Sequence, residues 1–536
     1  MKIKTSGNVV WPSLSLKIIL VLVLASGVYF RIYNIDRKIV SSDETFTIMH
    51  IFDRNFGDAG HQSVFLTAKE MLQYQSPRAD ENLLHSIVLL AKRPWTFPPL
   101  YVVTARLWFQ IWHGWESHPP YYILRCFSIL LGIVGIWGMY LFCRELFNSD
   151  AAGWIAASLM AVSPMQVLYS LVIRAYSVVI TVTLFSSYLF LRAVRINTLF
   201  CWASYFIALA IGLYSNVLFG FVAISHFFYL FFIEKDRFAR VVRNYLFSAG
   251  LAFFVFLPWL LRFIFSPMLT YSHYQVLSGR LRPLPFLTGM AKSLGRIFVD
   301  LSDPWSQYAN LKFGSLAYPF IILLVIASFY FLIRKAKRDA KIFCLSMLMC
   351  TFFSLVGIDI VFGGMRSSRI RYYLPAVTLI QAIVALCLSA AAISKDRYKR
   401  LAGKTIFIFL LVGGLASCVM ISQSKSWWVF ENPELPYVAE EINKKPSPLV
   451  VCNHDGFALG LSYILNDGVK MYCSDKADFE KIAGNYNHYS DIFLIKPQEE
   501  LLRLANENGF ETQGILTFHS NLPRIQSIYI LKKRTF

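Results

Sequence analysis

Residues 121–143 read YYILRCFSILLGIVGIWGMYLFC, and Arg125 is their one charged side chain. A run of this length supplies the ~20 apolar residues that cross ~30 Å of hydrocarbon as a helix. It closes on Arg144 and Glu145. Working outward, comparable runs fall at 14–30, 151–168, 175–191, 198–215, 217–233, 245–265, 315–333, 342–362, 372–394 and 403–422. The composition agrees. Across 536 residues, 56% are hydrophobic, only 16% are charged, and the mean hydropathy is +0.50. A soluble domain carries about 25% charge, so the chain lacks the polar surface for several water-facing domains. The same numbers exclude disorder, collagen and a disulfide scaffold.

The formal net charge is +20. In a membrane chain such an excess holds loops on the cytoplasmic side and meets anionic lipid, so no nucleic-acid partner is expected. Arg144, Arg192 and Arg195, the Lys235–Arg243 cluster, the Arg334–Lys341 cluster and the Lys395–Lys404 cluster are all assigned to that side. With the N-terminus inside, these assignments agree only if the short run 98–112 does not cross. It begins Pro98-Pro99 and contains Arg106, and reads as a juxtamembrane helix on the outer interface. Eleven spans then place 31–120 and the region after 422 outside the cytoplasm. The first outer loop shows amphipathic helical patterns near Glu44–Phe52 and Phe65–Tyr74, with a third near Leu83–Leu90.

The expected fold is therefore an all-α polytopic membrane bundle of about eleven helices over residues 1–422, with juxtamembrane helices on its outer (periplasmic) face. Residues 423–536 are more polar and read as a small soluble α/β domain. Strand-like runs at Pro448–Cys452, Val469–Cys473, Asp491–Ile495 and Gln526–Leu531 alternate with helical stretches at Pro436–Asn443 and Gln498–Asn508. Cys452 and Cys473 alone among the nine cysteines lie in a polar region. A bridge between them is compatible with an oxidising compartment, but the sequence does not show the pairing. There is no CxxC and no metal-ligand spacing.

The informative residues are charges where membrane energetics disfavour them. Asp43-Glu44 follows the first span. A helix N-terminus capped by Ser41 or Ser42 explains the pair as well as catalysis does. The functional reading is a carboxylate at the membrane–water boundary that accepts a proton or holds a charged substrate. Arg125 and Arg174 also fall on the outer side. Arg366, Arg369 and Arg371 crowd one short outer loop. One arginine can snorkel harmlessly; three against the positive-inside trend suit phosphate oxygens, which guanidinium forks hold well.

The order of these features resembles the membrane glycosyltransferases of the GT-C superfamily, in the group of protein O-mannosyltransferases, aminoarabinose transferases and rhizobial lipopolysaccharide glycosyltransferases. The matching residues are Asp43-Glu44, Pro98-Pro99-Leu100-Tyr101, Arg125 with Ser128, and Cys143-Arg144-Glu145-Leu146-Phe147. Further on come Ser163-Pro164, Tyr169-Ser170, Arg174-Ala175-Tyr176, Leu213-Tyr214-Ser215, Leu257-Pro258-Trp259 and Arg371-Tyr372-Tyr373-Leu374-Pro375. Three family positions depart: its His before Pro-Pro is Phe97, its Glu before Ala-Arg is Val172, and its later His is Asn216. These losses weaken any carry-over of a metal site.

The resemblance implies transfer of a sugar from a polyprenyl-phosphate-linked donor to a lipid, glycan or protein acceptor, outside the cytoplasm at the plasma (inner) membrane. Asp43 would be the general base or orient the acceptor, with Glu44 supporting the helix or binding donor or metal. Arg125, Arg174, Tyr176, Arg366, Arg369, Arg371 and Tyr101 would hold substrate. No nucleotide or Gly-rich phosphate loop is needed by this chemistry, no cofactor is certain, and a divalent metal stays open. A lipid-linked glycan flippase or a glycan ligase shares the cavity and the arginines; a scaffold whose C-terminal domain binds a partner is a further alternative.

Overall fold

The computed structural model describes residues 14–54, 65–77, 87–88, 90, 99–112, 119–232, 235–265, 283–303, 314–473, 479–514 and 528–533. The bundle is built from apolar helices. Among the described residues, eight of them are long and apolar enough to cross a membrane, or nine if one bent pair counts as a span. Two shorter apolar helices, Leu199–Ser215 and Val217–Leu230, occupy two more of the runs read as spans. The first of these rises only about 25 Å at 1.5 Å per residue. The Pro99–Ile111 helix is shorter still, at 13 residues, and its Arg106 pairs with buried Asp53 at 2.6 Å.

The bent pair shows how the sequence shapes the bundle. Ser163-Pro164 interrupts the run 151–168, and the helices Asp150–Ala161 and Pro164–Leu171 meet at 57°. Proline cannot donate to the preceding turn, so carbonyl groups at the break lose their intrahelical partners. Arg31, wholly buried at the end of the first helix, fills that gap. Its Nη1 donates to the Ala161 carbonyl at 2.7 Å and to the Gly27 carbonyl at 2.8 Å. A charged side chain is tolerated at such depth where it satisfies backbone in this way. Alongside, Gly132, Gly135 and Gly138 line one edge of the Pro120–Phe147 helix. A Cβ there would meet Ser170, Thr181 and Phe185 at 2.8, 2.8 and 3.0 Å. Small residues allow helices in lipid to approach this closely.

Above one end of the bundle sits a six-stranded mixed sheet. Its strands are β1 (Phe65–Thr67), β2 (Pro448–Cys452), β3 (Lys470–Cys473), β4 (Asp491–Ile495), β5 (Phe510–Gly514) and β6 (Ile528–Lys533). Their spatial order is β1-β3-β2-β4-β6-β5. β2 runs parallel to both β3 and β4, and the other pairings are antiparallel. β2, β3 and β4 lie where the apolar runs predict them. β1 corrects the expectation of a helix over Phe65–Tyr74. Those residues form a three-residue strand and then a short helix, Ala68–Leu72, opened by a capping box of Thr67 and Glu70. The segment Leu83–Leu90 lies outside the described residues except for 87, 88 and 90. Cys452 and Cys473 are direct register partners on β2 and β3, yet both thiols are free.

Candidate functional site

The site is organised by the Ser42–Ile51 helix. Ser41 precedes it in extended geometry, and its backbone N–H donates to Glu44 Oε2 at 2.9 Å. This closes the first turn and turns Glu44 inward. Asp43, about 100° around the helix, points elsewhere. The two acids therefore take different partners.

Glu44 and Arg125 find each other. Both are fully buried, with Arg125 Nη2 3.1 Å from Glu44 Oε1. Glu44 Oε1 also accepts the Ile173 N–H at 3.1 Å. Arg125 Nη1 donates to the carbonyls of Ile35 at 3.0 Å and Lys38 at 2.9 Å. Every group in this cluster is satisfied by protein. It ties the turn after the first helix to the Pro120–Phe147 helix and to the loop before Arg174, and neither residue lines a cavity described below.

Asp43 faces the open side. Arg174 Nη2 lies 2.6 Å from Oδ1 and Arg371 Nη1 lies 2.9 Å from Oδ2. Arg371 Nη1 is also 3.0 Å from Glu431 Oε1. Burial pushes the Asp43 carboxyl up, but the Arg174 and Arg371 guanidinium groups outweigh it, with Arg369 adding to them. The net effect holds Asp43 below the usual carboxylate range. A cavity of about 210 Å³ opens beside this cluster, lined among others by Thr47, Tyr101, Arg174, Tyr176, Asn216 and Arg371. Tyr101 is anchored by Ser128, with the two hydroxyl oxygens 2.7 Å apart. Tyr176 packs edge-on against Tyr169, with ring centroids 5.0 Å apart.

The three loop arginines part company. Arg371 reaches Asp43. Arg366 instead pairs with buried Asp359 at 3.0 Å. Arg369 is exposed and has no ion pair among the described residues, although its charge is felt at Asp43. The substituted family positions are Asn216, on the cavity wall with Oδ1 accepting the Leu218 N–H at 2.9 Å, and Val172, buried in the core. Phe97 lies outside the described residues.

Several neighbours of the site were not read from the sequence. Glu431 and Asn432 follow the last bundle helix and border a second cavity of about 410 Å³, with Arg296, Asp303 and Trp428. The indole N–H groups of Trp427 and Trp428 both donate to buried Asp300 Oδ2, at 2.8 and 2.7 Å. Arg296 lies over the Trp428 ring at 4.6 Å. The Arg371–Glu431 pair stands between the two cavities. Lys496, just past β4, donates to Asn432 Oδ1 at 2.7 Å, and Asn432 Nδ2 donates to Ser42 Oγ. Both Lys496 and Asn432 hold positive φ, 46° and 59°, a conformation that non-glycine residues adopt at a cost. Acids and tryptophans in the segment 296–303 and after the last span were the available signal.

A metal does not fit the described residues. No group of three or more His, Cys, Asp or Glu side chains converges among them. Asp43 is flanked by guanidinium groups that would repel a cation, and Glu431 is joined to it through Arg371.

The chain superposes on ArnT from Cupriavidus metallidurans in the apo state with a TM-score of 0.54 at 10% identity, covering 96% of this chain and 98% of that one. It matches the oligosaccharyltransferase of Archaeoglobus fulgidus, crystallised with Zn and sulfate, with a TM-score of 0.50 at 13% identity. That match covers 89% of this chain and 68% of that one. This is the GT-C membrane fold. A sequence model of the dolichyl-phosphate-mannose-protein mannosyltransferase family matches residues 98–261. That stretch contains Tyr101, Arg125, Arg174 and Tyr176, whereas Asp43 and Arg371 lie outside it. No curated protein matches the chain significantly.

Proposed function

We propose that the protein is an integral-membrane glycosyltransferase. It would transfer a sugar from a polyprenyl-phosphate-linked donor to a hydroxyl of a lipid, glycan or protein, on the extracytoplasmic face. One observation carries the reading: Asp43 is held between Arg174 and Arg371, and both arginines line a cavity. The dolichyl-phosphate-mannose family matched over 98–261 supports a sugar linked to a lipid phosphate.

In the free protein the arginines neutralise Asp43. A donor phosphate would compete for the same guanidinium forks, with exposed Arg369 as a third ligand. Asp43, released from its partners, then regains basicity and accepts the proton of the acceptor hydroxyl. That oxygen bonds to the anomeric carbon as the bond from that carbon to the phosphate oxygen breaks. The electron pair leaves with the lipid phosphate, whose charge the arginines stabilise. No nucleotide is needed, because the phosphate is already a good leaving group. Tyr101 and Tyr176 shape the wall that orients the sugar, while Glu44, Arg125 and Arg366 hold the frame.

The test is sugar transfer by the purified protein in proteoliposomes supplied with a panel of polyprenyl-phosphate sugars. Transfer that depends on Asp43 supports the proposal. An Asp43→Asn protein that still translocates lipid-linked sugar, with no transfer by the parent, would instead identify a flippase.

A further inference from the structure

A second cavity system lies at the other end of the bundle. The Tyr176–Ile196 helix starts at the Asp43 cavity and carries 21 residues, so its far end is about 30 Å away. There a cavity of about 810 Å³ opens between the ends of several helices. Glu145, Arg195, Phe231, Lys337, Arg338 and Asp339 are among its lining residues. The volume falls within the range of small-ligand sites.

The charges in this cavity are only partly matched. Arg195 pairs with Glu145 at 3.3 Å and also donates to the Glu145 carbonyl at 3.1 Å. Lys337, Arg338 and Asp339 are exposed, and none has an ion-pair partner among the described residues. Lys337 and Arg338 gain nothing from the helix they open, whose dipole disfavours cations there. Two cations and one carboxylate, unpaired among the described residues, thus line one cavity. Phe231 and Phe232, 55% and 49% exposed, form an apolar lip beside them. This combination differs from an ordinary solvated basic loop, which has no cavity, no opposed carboxylate and no apolar lip.

We propose that this cavity binds a phosphodiester headgroup that also carries an ammonium, as in phosphatidylethanolamine. Lys337 and Arg338 take the phosphate oxygens, Asp339 takes the ammonium, and the acyl chains lie over Phe231 and Phe232. The site is separate from the sugar-transfer site and does not depend on that assignment. It would hold a structural or regulatory lipid on the face opposite Asp43.

Native mass spectrometry of the full-length protein, given equal amounts of phosphatidylethanolamine and phosphatidylglycerol, tests the proposal. The parent is expected to retain phosphatidylethanolamine preferentially. The Lys337→Ser/Arg338→Ser double variant should lose retention at least about tenfold. Asp339→Asn should keep the phosphate contact and retain both lipids equally, which gives a second readout should the double variant fold poorly. Arg334→Ser, on the same face but outside the cavity, should behave as the parent. Water-soluble glycerophosphoethanolamine should bind much more weakly than the lipid. The proposal is overturned if Arg334→Ser loses as much lipid as the double variant, or if the parent retains phosphatidylglycerol equally well. It is also overturned if the parent retains neither lipid, or if the soluble headgroup binds as tightly as the lipid.

Discussion

Replacing Asp43 by Asn is expected to move two observables in opposite directions. The substitution keeps the shape of the side chain and removes the charge that holds Arg174 at 2.6 Å and Arg371 at 2.9 Å. Turnover should fall by about 10²–10⁴-fold, the usual cost of losing a general base. Affinity for the lipid phosphate should rise, because the guanidinium groups no longer have to leave a carboxylate to reach it. A charge-assisted hydrogen bond nets about 1.5–3 kcal/mol. The Asp43, Arg174 and Arg371 side chains are 20%, 16% and 22% exposed, and solvent screening argues for the low end. Exchange of one such pair, about 1.4 kcal/mol, corresponds to roughly tenfold tighter binding. Transfer by the purified enzyme in proteoliposomes measures the first effect, and titration with a polyprenyl phosphate measures the second. A folded Asp43→Asn protein that transfers sugar at the parent rate refutes the catalytic role. One that binds the phosphate more weakly than the parent refutes the competition between carboxylate and phosphate.

Glu44→Gln and Arg125→Met should each cost about 3–5 kcal/mol, since either leaves a buried charge without its partner; unfolding in detergent measures the loss, and the double variant should cost less than the sum. Arg369→Ser should weaken lipid-phosphate binding with unchanged thermal stability, whereas Arg366→Ser should destabilise the loop by freeing buried Asp359; equal melting temperatures for the two would argue against this division. The depressed Asp43 carboxyl contributes stability that is fully present above its ordinary value of 3.8 and is lost as pH falls through the lower folded value. The parent should therefore lose stability relative to Asp43→Asn on acidification below pH 3.8, as followed by thermal unfolding across an acid series.

The bundle was legible because hydrocarbon imposes a length and a composition on each helix. β2 and β4 were legible as short apolar runs in a polar region. β1 was not: Phe65-Leu66-Thr67 is too brief to display a period, and its strand state depends on Met471 and Tyr472, far away in sequence. Asp43 and Arg371 stood out singly as charges at the headgroup level, but their pairing across the bundle has no local signature. Glu44 and Arg125 carried the same surface signal as Asp43. Only the turn made by Ser41, which points Glu44 inward and leaves the preceding Asp43 outward, separates the buried frame from the proposed reaction centre. Lys496 looked like an ordinary lysine after a strand; its left-handed backbone and its bond to Asn432 are tertiary facts.

The edge pairing of β1 with β3 also sets an order in time. About 400 residues separate Leu66 from Met471, so at 5–20 residues per second some 20–80 s pass between their syntheses. The Ser42–Ile51 helix waits as well, since Gly456 and Asn432 press on its first turns from the late-made side. A nascent chain can thread its helices into lipid long before Asp43 has a fixed position. On the proposed function, competence to transfer sugar would switch on late, when residues 432–473 have closed over the early helix, and a half-made chain would spend no donor.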